Sequence, residues 1–344
     1  MNPYQSAVHR LASTKKQTTL WLMAMALSIV AALPTPALSA ADTPAADTYP
    51  TKPVSLIISY PAGGSVDVAA RILQEPLNKA LGQSVVLENK GGAGGTIATR
   101  HVAHARADGY TLLITLSSHT INPALYADLP FDTEKDLAPV SMVASAPQVL
   151  VANPAFPASN LAELIDYVKN GDKEVAYGSA GTGSPSHIAG ELLKLKTGLN
   201  LLHIPYRGGG PATIDVIGGQ IPLLWVSLPS VAQHIKQGTL KAIAVSTQAR
   251  TPVLPDVPAV AETIPGFNVD SWYAMFAPTG TPDSIIHKVQ SAIAEAAKDP
   301  AIQKAFLAQG AVIVGGTPAE LDTVVKTEIP MWKALAKEAD IKIN

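Results

Sequence analysis

Residues 54–81, VSLIISYPAGGSVDVAARILQEPLNKAL, contain the signal that decides the fold. Residues 54–59 form a short apolar run typical of a buried strand, and apolar residues then recur at helical spacing over 67–81. The loop between them has a glycine pair at 63–64, which lets the backbone approach a ligand closely. Pro76 removes a backbone donor from the helical stretch and predicts a kink or break there. The segment predicts a strand, a glycine loop and a helix in succession.

The same alternation of strand and helix patterns continues along the chain. It predicts an α/β fold in which mostly parallel sheets are flanked by helices. Two short extended runs, 140–143 and 148–152, are separated by Ala146-Pro147, and the pattern restarts near residue 270. The chain is therefore expected to leave one domain and later return to it. The predicted boundaries are 49–146 plus 273–344 for domain 1 and 147–272 for domain 2.

The composition excludes several classes of protein. Of the 344 residues, 47% are hydrophobic and 15% charged, so a large core can form and wholesale disorder is excluded. The formal net charge is -2, and no basic cluster follows the N-terminus, so we expect no nucleic acid partner. The absence of cysteine excludes disulfides, thiolate metal sites, a cysteine nucleophile and a lipidated cysteine.

Residues 1–40 have the order of features of a secretory signal peptide. Basic residues precede a mainly apolar run at 20–33, prolines follow it, and small residues close the segment. We predict cleavage near residues 39–41. A membrane anchor is the alternative, but a spanning helix needs about 20 apolar residues. The mature chain shows no second membrane-spanning pattern, so the periplasm is its expected location.

A second glycine loop, at 177–187 (YGSAGTGSPSH), also joins a predicted strand to a predicted helix. Its glycines do not have the G-x-G-x-x-G spacing of a dinucleotide fingerprint. Neither loop contains lysine or arginine, so an anion would be bound by backbone N–H groups, hydroxyls and the helix dipole. Such a site suits a carboxylate better than a phosphate, which usually recruits a cationic side chain. For each loop alone, an ordinary strand-to-helix turn is the alternative.

Two further glycine clusters precede predicted helices. Residues 91–95 either line a cleft or only bring a strand and a helix close together. In the cluster at 206–211, Arg207 faces either a ligand carboxylate or solvent, and the sequence leaves both open.

Catalytic signatures are missing from the sequence. No G-x-S-x-G or H-E-x-x-H motif is present, and His101 and His104 share a predicted helical face without a third metal ligand. We therefore predict that the protein is not an enzyme and has no cofactor and no metal site. An exported enzyme that uses His187 and Ser184 is the alternative.

Several ordered motifs extend from about residue 49 to the C-terminus: Tyr60-Pro-Ala-Gly-Gly64-x-x-Asp67, Glu88-Asn-Lys-x-Gly-Ala-Gly-Gly95, Ala107-Asp-Gly-Tyr-Thr-Leu112, Tyr177-Gly-Ser-Ala-Gly-Thr-Gly-Ser184 and Arg250-x4-Pro-Asp-Val-Pro258. Together they resemble one family, the Bug-type periplasmic solute receptors of tripartite tricarboxylate transporters. The resemblance implies a two-domain Venus-flytrap fold of the type II periplasmic class. It also implies binding of a small organic carboxylate between the domains.

The resemblance implies that two loops grip the carboxylate, with Asp67 acting mainly as a helix cap. The first loop would contribute Tyr60, Ala62, Gly63, Gly64 and Asp67. The second would contribute Ser179, Ala180, Thr182, Gly183 and Ser184, with His187 beside them. We expect the far end of the ligand to meet Ser117, Ser118, His119, Tyr206 and Arg207. The strand after Gly218-Gly219-Gln220 often continues with an acidic residue in this family, whereas here it reads Ile221-Pro-Leu-Leu-Trp225, and the tryptophan and leucines favour an apolar or aromatic ligand body.

The implied function is that of a monomeric receptor. It would deliver its ligand to the membrane permease subunits of a transporter. The alternative partner is a membrane sensor kinase that reads the same binding event, and the sequence does not separate the two.

Overall fold

The computed structural model describes residues 48–171 and 174–338. The predicted signal peptide lies outside the described residues. None of the helices within these ranges is long and apolar enough to cross a membrane.

The described chain alternates strands and helices, as the sequence predicted, in two groups joined by a long strand. The first group is β1 (Val54–Ile58), α1 (Ser65–Leu81), β2 (Val85–Asn89), α2 (Thr96–Ala103), β3 (Thr111–Leu116) and α3 (Ser118–Leu125), followed by the long strand β4 (Leu137–Ala152). The second group is α4 (Leu161–Asn170), β5 (Val175–Ser179), α5 (Pro185–Thr197), β6 (Leu201–Pro205), α6 (Gly209–Ile217), β7 (Leu223–Ser227), α7 (Ala232–Lys236), β8 (Lys241–Val245) and α8 (Val260–Thr263). The chain then returns through β9 (Asp270–Pro278), α9 (Asp283–Lys298), α10 (Pro300–Ala308), β10 (Val312–Ile313) and α11 (Pro318–Glu338).

The two halves of the molecule have the same strand order. In the first half the order is β2-β1-β3-β9-β4, and β9 runs against its neighbours. In the second half the order is β6-β5-β7-β4-β8, and β4 runs against its neighbours. Apart from the two-residue β10, each half therefore has strands of one direction with a single reversed strand between them. This agrees with the predicted α/β fold with mostly parallel sheets.

Strand β4 passes from one sheet to the other. Its first part, to Pro147, pairs with β9, and residues 148–152 pair with β7 and β8. The predicted break at Ala146-Pro147 is therefore wrong, because one strand runs through it. Pro147 lacks a backbone donor, but it stands where the strand changes partners, so little hydrogen bonding is lost there.

Of the kink or break predicted at Pro76, the break is wrong. Helix α1 runs without interruption from Ser65 to Leu81 and ends at Gly82, which has the left-handed φ of 68°. Its apolar face, which includes Leu73 and Leu77, is fully buried. Packing of this face compensates for the one hydrogen bond that the proline removes.

The buried apolar side chains form clusters on both sides of the strand crossing. One set surrounds β1, β3 and β9, and another surrounds β5 and β7. Helix α11 contributes to both, since Leu321 and Val325 pack in the first set and Trp332 in the second. The domain boundaries given above stay a prediction.

Candidate functional site

Two glycine loops from different halves of the molecule touch each other. A Cβ atom built on Gly208 would lie 2.6 Å from Pro61 Cδ, and one on Gly210 would lie 2.9 Å from the Ala62 carbonyl oxygen. Any side chain at either position would collide with the β1–α1 loop. The glycines before and within α6 therefore allow the two halves to approach at this point.

A narrow cavity lies where these loops meet the β5–α5 loop. Its empty space is about 280 Å³, with room for little more than one water molecule at its centre. A solute therefore requires the walls to separate. The walls are formed by Tyr60, Gly64, Ser65, Leu116, Gln148, Ala180, Pro185, Ser186, Gly209, Val226, Ser227 and Ser230.

No charged side chain belongs to the cavity wall, as far as the described residues go. Helix α1 begins there at Ser65, α5 begins at Pro185, and α6 begins at Gly209. First-turn amides have no partner inside their own helix, and each helix dipole places positive potential at its N-terminus. The arrangement is that of an anion site built from backbone.

Asp67 fixes the shape of the β1–α1 loop rather than capping its helix, since the N-cap is Gly64 and no side chain caps the helix. The Asp67 carboxylate accepts a hydrogen bond from the Gly63 N–H at 3.0 Å. It also accepts from Asn89 Nδ2 at 3.1 Å and pairs with Arg71 Nε at 2.9 Å. Burial acts to raise the pKa of Asp67, but these donors outweigh it and hold the pKa below its usual range.

Hydroxyl groups fix the shape of the β5–α5 loop. Ser184 is the N-cap of α5 and accepts from the His187 N–H. Ser186 Oγ accepts from the Ala180 N–H at 2.9 Å, and Ser179 Oγ accepts from the Gly181 N–H at 3.1 Å. Ala180 and Ser186 line the cavity, whereas Ser184 and Ser179 stabilise the loop behind it.

Two stacked histidines form hydrogen bonds with this loop. The His187 and His203 rings stack with centroids 4.2 Å apart, and His203 Nε2 lies 2.6 Å from Ser179 Oγ. The Gly183 N–H donates to His187 Nδ1. Burial is the main cause that lowers the pKa of His187 to about 4 and that of His203 to about 3, so both rings are neutral at pH 7.

The same histidines lie close enough to Glu191 to form a metal-ligating set, which the sequence analysis did not identify. One ligand atom from each residue falls within 4.8 Å of the others. However, Lys194 Nζ lies 3.0 Å from the Glu191 carboxylate, and Tyr177 donates to it at 2.6 Å. The Glu191 carboxylate therefore already has an ion-pair partner and a hydrogen-bond donor. These contacts explain why the three residues lie together without a metal ion.

The residues expected at the far end of the ligand do not line the cavity. Ser118 accepts from the Tyr60 hydroxyl at 3.1 Å, and His119 is buried against Phe276, with its pKa lowered to about 3 by burial. The Tyr206 hydroxyl donates to Asp215 at 2.8 Å. The remaining members of that set are Ser117, which is buried, and Arg207, which is exposed.

The members of the two loops are divided between the cavity and its surroundings. Tyr60, Gly64 and Ala180 line it. Outside its wall lie Ala62, Gly63, Asp67, Ser179, Thr182, Gly183, Ser184 and His187. Which of these residues contact a ligand stays a prediction.

Trp225 does not face the cavity. It is fully buried and stacks on Phe267 with ring centroids 6.3 Å apart, whereas the next residue, Val226, lines the cavity. The side chains of β7 alternate between two faces, and Trp225 is on the core side. Trp225 therefore gives no support to an apolar or aromatic ligand body, and the nature of that body stays a prediction.

The cavity contains polar groups that sequence reasoning missed. Gln148 Oε1 and Ser230 Oγ are buried and have no hydrogen-bond partner within the described residues. The Tyr273 hydroxyl, outside the wall, lies beside two lining residues, Ser65 and Ser227. Ser65, Ser186 and Gly209 belonged to loops already singled out, but Gln148, Ser227 and Ser230 follow no local motif.

With the geometry established, similarity to known proteins identifies the family. The model of the tripartite tricarboxylate transporter family receptor, TctC, matches residues 69–341. The chain belongs to the TctC receptor family. This confirms the resemblance inferred from the motifs.

Relatives of this TctC receptor match it over nearly their whole length. BugT of Bordetella pertussis is 40% identical over 302 residues, covering 87% of this chain and 93% of BugT. The periplasmic binding protein BugD is 37% identical with a TM-score of 0.83, covering 86% of this chain and all of BugD. The R. palustris protein Rpa4515, solved with adipate, is 32% identical with a TM-score of 0.83, at 86% and 100% coverage. The TctC receptor therefore has the two-domain α/β fold of the periplasmic binding proteins.

Proposed function

We propose that this TctC receptor is a periplasmic protein that binds a small organic carboxylate between its two domains and presents it to the membrane subunits of a tripartite tricarboxylate transporter. The observation that carries the proposal is the convergence of three helix N-termini, without a cationic side chain, on one closable cavity. Backbone amides bind a carboxylate through charge-assisted hydrogen bonds of about 1.5–3 kcal/mol each.

The adipate complex of Rpa4515 supports the carboxylate class, since adipate carries carboxylates at both ends. Residues 1–40, as a cleaved signal peptide, would bring the receptor to the periplasm. The domains 49–146 plus 273–344 and 147–272 would rotate about the point where β4 passes from one sheet to the other. Closure shifts the open–closed equilibrium only through contacts that the ligand makes better in the closed state. The receptor would act as a monomer and would release its ligand unchanged.

Thermal unfolding with a panel of mono-, di- and tricarboxylates tests the proposal. At a hundredfold excess over Kd, a ligand stabilises the folded state by about 2.7 kcal/mol, which raises Tm by about 5 °C. Matched primary alcohols of the same carbon skeletons are the control and should leave Tm unchanged. A panel in which no carboxylate raises Tm would contradict the proposal.

Gly208→Ala tests the requirement for closure. The added methyl group would meet Pro61 and would also strain a φ of 153°, so the closed state should be less populated. We expect carboxylate affinity to fall about tenfold or more. Gly238→Ala, a glycine of positive φ with no atom near its added methyl, is the matched control and should bind like the parent.

A further inference from the structure

An open groove, the β4 groove, lies on the opposite side of strand β4 from the cavity. Its walls include Ser145, Pro147, Arg250, Asp270, Leu307 and Val312. Pro147 lines the β4 groove and the next residue, Gln148, lines the cavity, because consecutive side chains of a strand point to opposite faces. We propose that the β4 groove binds a small organic ammonium ion and that the bound ion favours the arrangement in which the glycine loops touch. The first part is independent of the proposed function, whereas the second part rests on that function and specifies its regulation.

Both halves of the molecule contribute walls to the β4 groove. Leu307 and Val312 lie beside the first sheet, since β10 pairs with β4 at Ser145. Arg250 and its neighbours belong to the segment that follows β8 in the second half. A rotation of the halves about the β4 crossing would therefore change the width of the groove. A ligand that fits the present width favours the present arrangement, because binding shifts a conformational equilibrium toward the state that binds better.

Asp270 gives the β4 groove a negative charge without a partner. It begins β9 and pairs with Pro147 of β4, so its backbone is fixed at the crossing. Its carboxylate has no hydrogen bond or ion pair with any residue that the structure describes. Part of the residue is exposed, yet burial raises the pKa of its carboxyl above the usual range. Because burial disfavours the ionised form, a cation beside Asp270 would be bound favourably.

Arg250 does not supply this cation. Its Nε and Nη2 donate to the Glu262 carboxylate at 2.8 and 2.9 Å, and its Nη1 donates to the Pro255 carbonyl oxygen at 3.2 Å. Glu262 therefore compensates the charge of Arg250. No other basic side chain belongs to the groove wall over residues 48–171 and 174–338. A cation beside Asp270 would therefore come from a ligand.

The rest of the groove wall suits a short apolar body. Most of its other residues are apolar, and Leu307 and Val312 are 48% and 59% exposed, so an alkyl chain can pack against them. The empty space is about 670 Å³ including the open side, compared with about 280 Å³ for the cavity. An ammonium group has three donors, and Ser145 and Thr247 add hydroxyl oxygens to the wall. The groove therefore fits a protonated amine on a short alkyl chain.

Calorimetry with alkylammonium ions and the alcohols of the same chain length provides the first test. The series extends from ethylammonium to pentylammonium at pH 7, where the amines are protonated. We expect the best-binding ammonium ion to bind about tenfold tighter than its alcohol or better, because only the ion pairs with Asp270. Equal affinities of ion and alcohol, or no binding of any ammonium ion at about 10 mM, would overturn the site and leave the proposed function intact.

Substitutions in the groove wall provide the second test. Asp270→Asn removes the charge and keeps the shape, so ammonium affinity should fall about tenfold while alcohol affinity is unchanged. Val312→Ser removes apolar surface at an exposed position and should weaken the longer ammonium ions about threefold. Asp166→Asn on α4 and Val86→Ser on β2 change exposed residues outside the groove and are the matched controls. Parental ammonium affinity in Asp270→Asn, at a parental melting temperature, would overturn the site.

Carboxylate binding in the presence of the ammonium ion tests the second part of the proposal. The carboxylate that raises Tm most in the thermal unfolding panel is titrated with a saturating concentration of the best-binding ammonium chloride, or with sodium chloride at the same concentration. We expect the ammonium ion to raise carboxylate affinity about threefold or more, and Asp270→Asn to abolish the increase. Equal carboxylate affinities in the two salts would overturn the coupling. No binding by any carboxylate would instead overturn the proposed function and leave the ammonium site intact.

Discussion

The β1–α1 loop and the β5–α5 loop face the same cavity but are stabilised by different chemistry. In the first, the ionised carboxylate of Asp67 accepts hydrogen bonds from the Gly63 N–H and Asn89 and pairs with Arg71. In the second, neutral hydroxyls such as Ser184 and Ser186 bond to the loop backbone. Neither solution places a charge in the cavity wall. The comparison shows that a backbone anion site needs a fixed loop, and that the chemistry that fixes the loop can be kept out of the site.

The largest expected effect is at the ionised centre of the first loop. Asp67→Ala should lower the free energy of unfolding by about 3 kcal/mol, because it removes the acceptor of the Gly63 and Asn89 donors at a buried position. Urea unfolding at pH 7 measures this. Asp322→Ala breaks only an exposed pair with Lys326 and should cost less than about 0.5 kcal/mol. Equal losses in the two variants would show that Asp67 does not fix the loop.

The second expected effect is a difference in pH dependence between the loops. The unfolded chain protonates His187 near its ordinary pKa of 6.5, whereas the folded protein does so only near pH 4. Because the unfolded state binds the proton first, stability should fall as the pH drops from about 6.5 to about 4, on the order of 2 kcal/mol. The lowered pKa of Asp67 acts in another window, since its stabilisation is present above its ordinary pKa of 3.8 and is lost as the pH falls below it.

Urea unfolding at pH 7 and pH 4.5 separates the two windows. His187→Gln should remove about a third of the dependence between these values, because His203 and His119, whose pKa values burial also lowers, remain. His101→Gln, at an exposed position of α2, should retain it in full. If both variants kept the full dependence, His187 would not be one of its sources.

The smallest expected effect is at the N-cap of the second loop. Ser184→Ala should lower the free energy of unfolding by about 1 kcal/mol and also weaken carboxylate binding, because the cap bonds the loop to α5. Asn160→Ala removes the N-cap of α4, which does not border the cavity. It should cost the same stability with unchanged affinity. Loss of affinity in both variants would mean that global stability, not the loop, controls binding.

Sequence reasoning was strongest for local features. The strand, glycine loop and helix successions at 54–81 and 177–187 are determined by residues close together in the chain, and the structure brings both loops to one cavity. It was weakest where the pairing of strands far apart in the sequence determines the structure. The continuity of β4 through Pro147 depends on β7, β8 and β9, which lie far away in sequence.

The places of Gln148 and Ser230 in the cavity wall could not be predicted for the same reason. Gln148 reaches it because β4 crosses between sheets, and Ser230 reaches it because α6 begins beside the end of β7. His119 was expected at the ligand from the family resemblance, but helix α3 directs it into the core against Phe276. These positions depend on tertiary packing, and no spacing in the sequence marks them.

Gln148 directly follows the proline at which β4 leaves one sheet for the other. Atoms near an axis of rotation are displaced least when two bodies turn about it. If the two halves turned about this crossing, a solute in contact with Gln148 would therefore keep that contact. The contact with Gln148 would then discriminate between solutes before the two halves move.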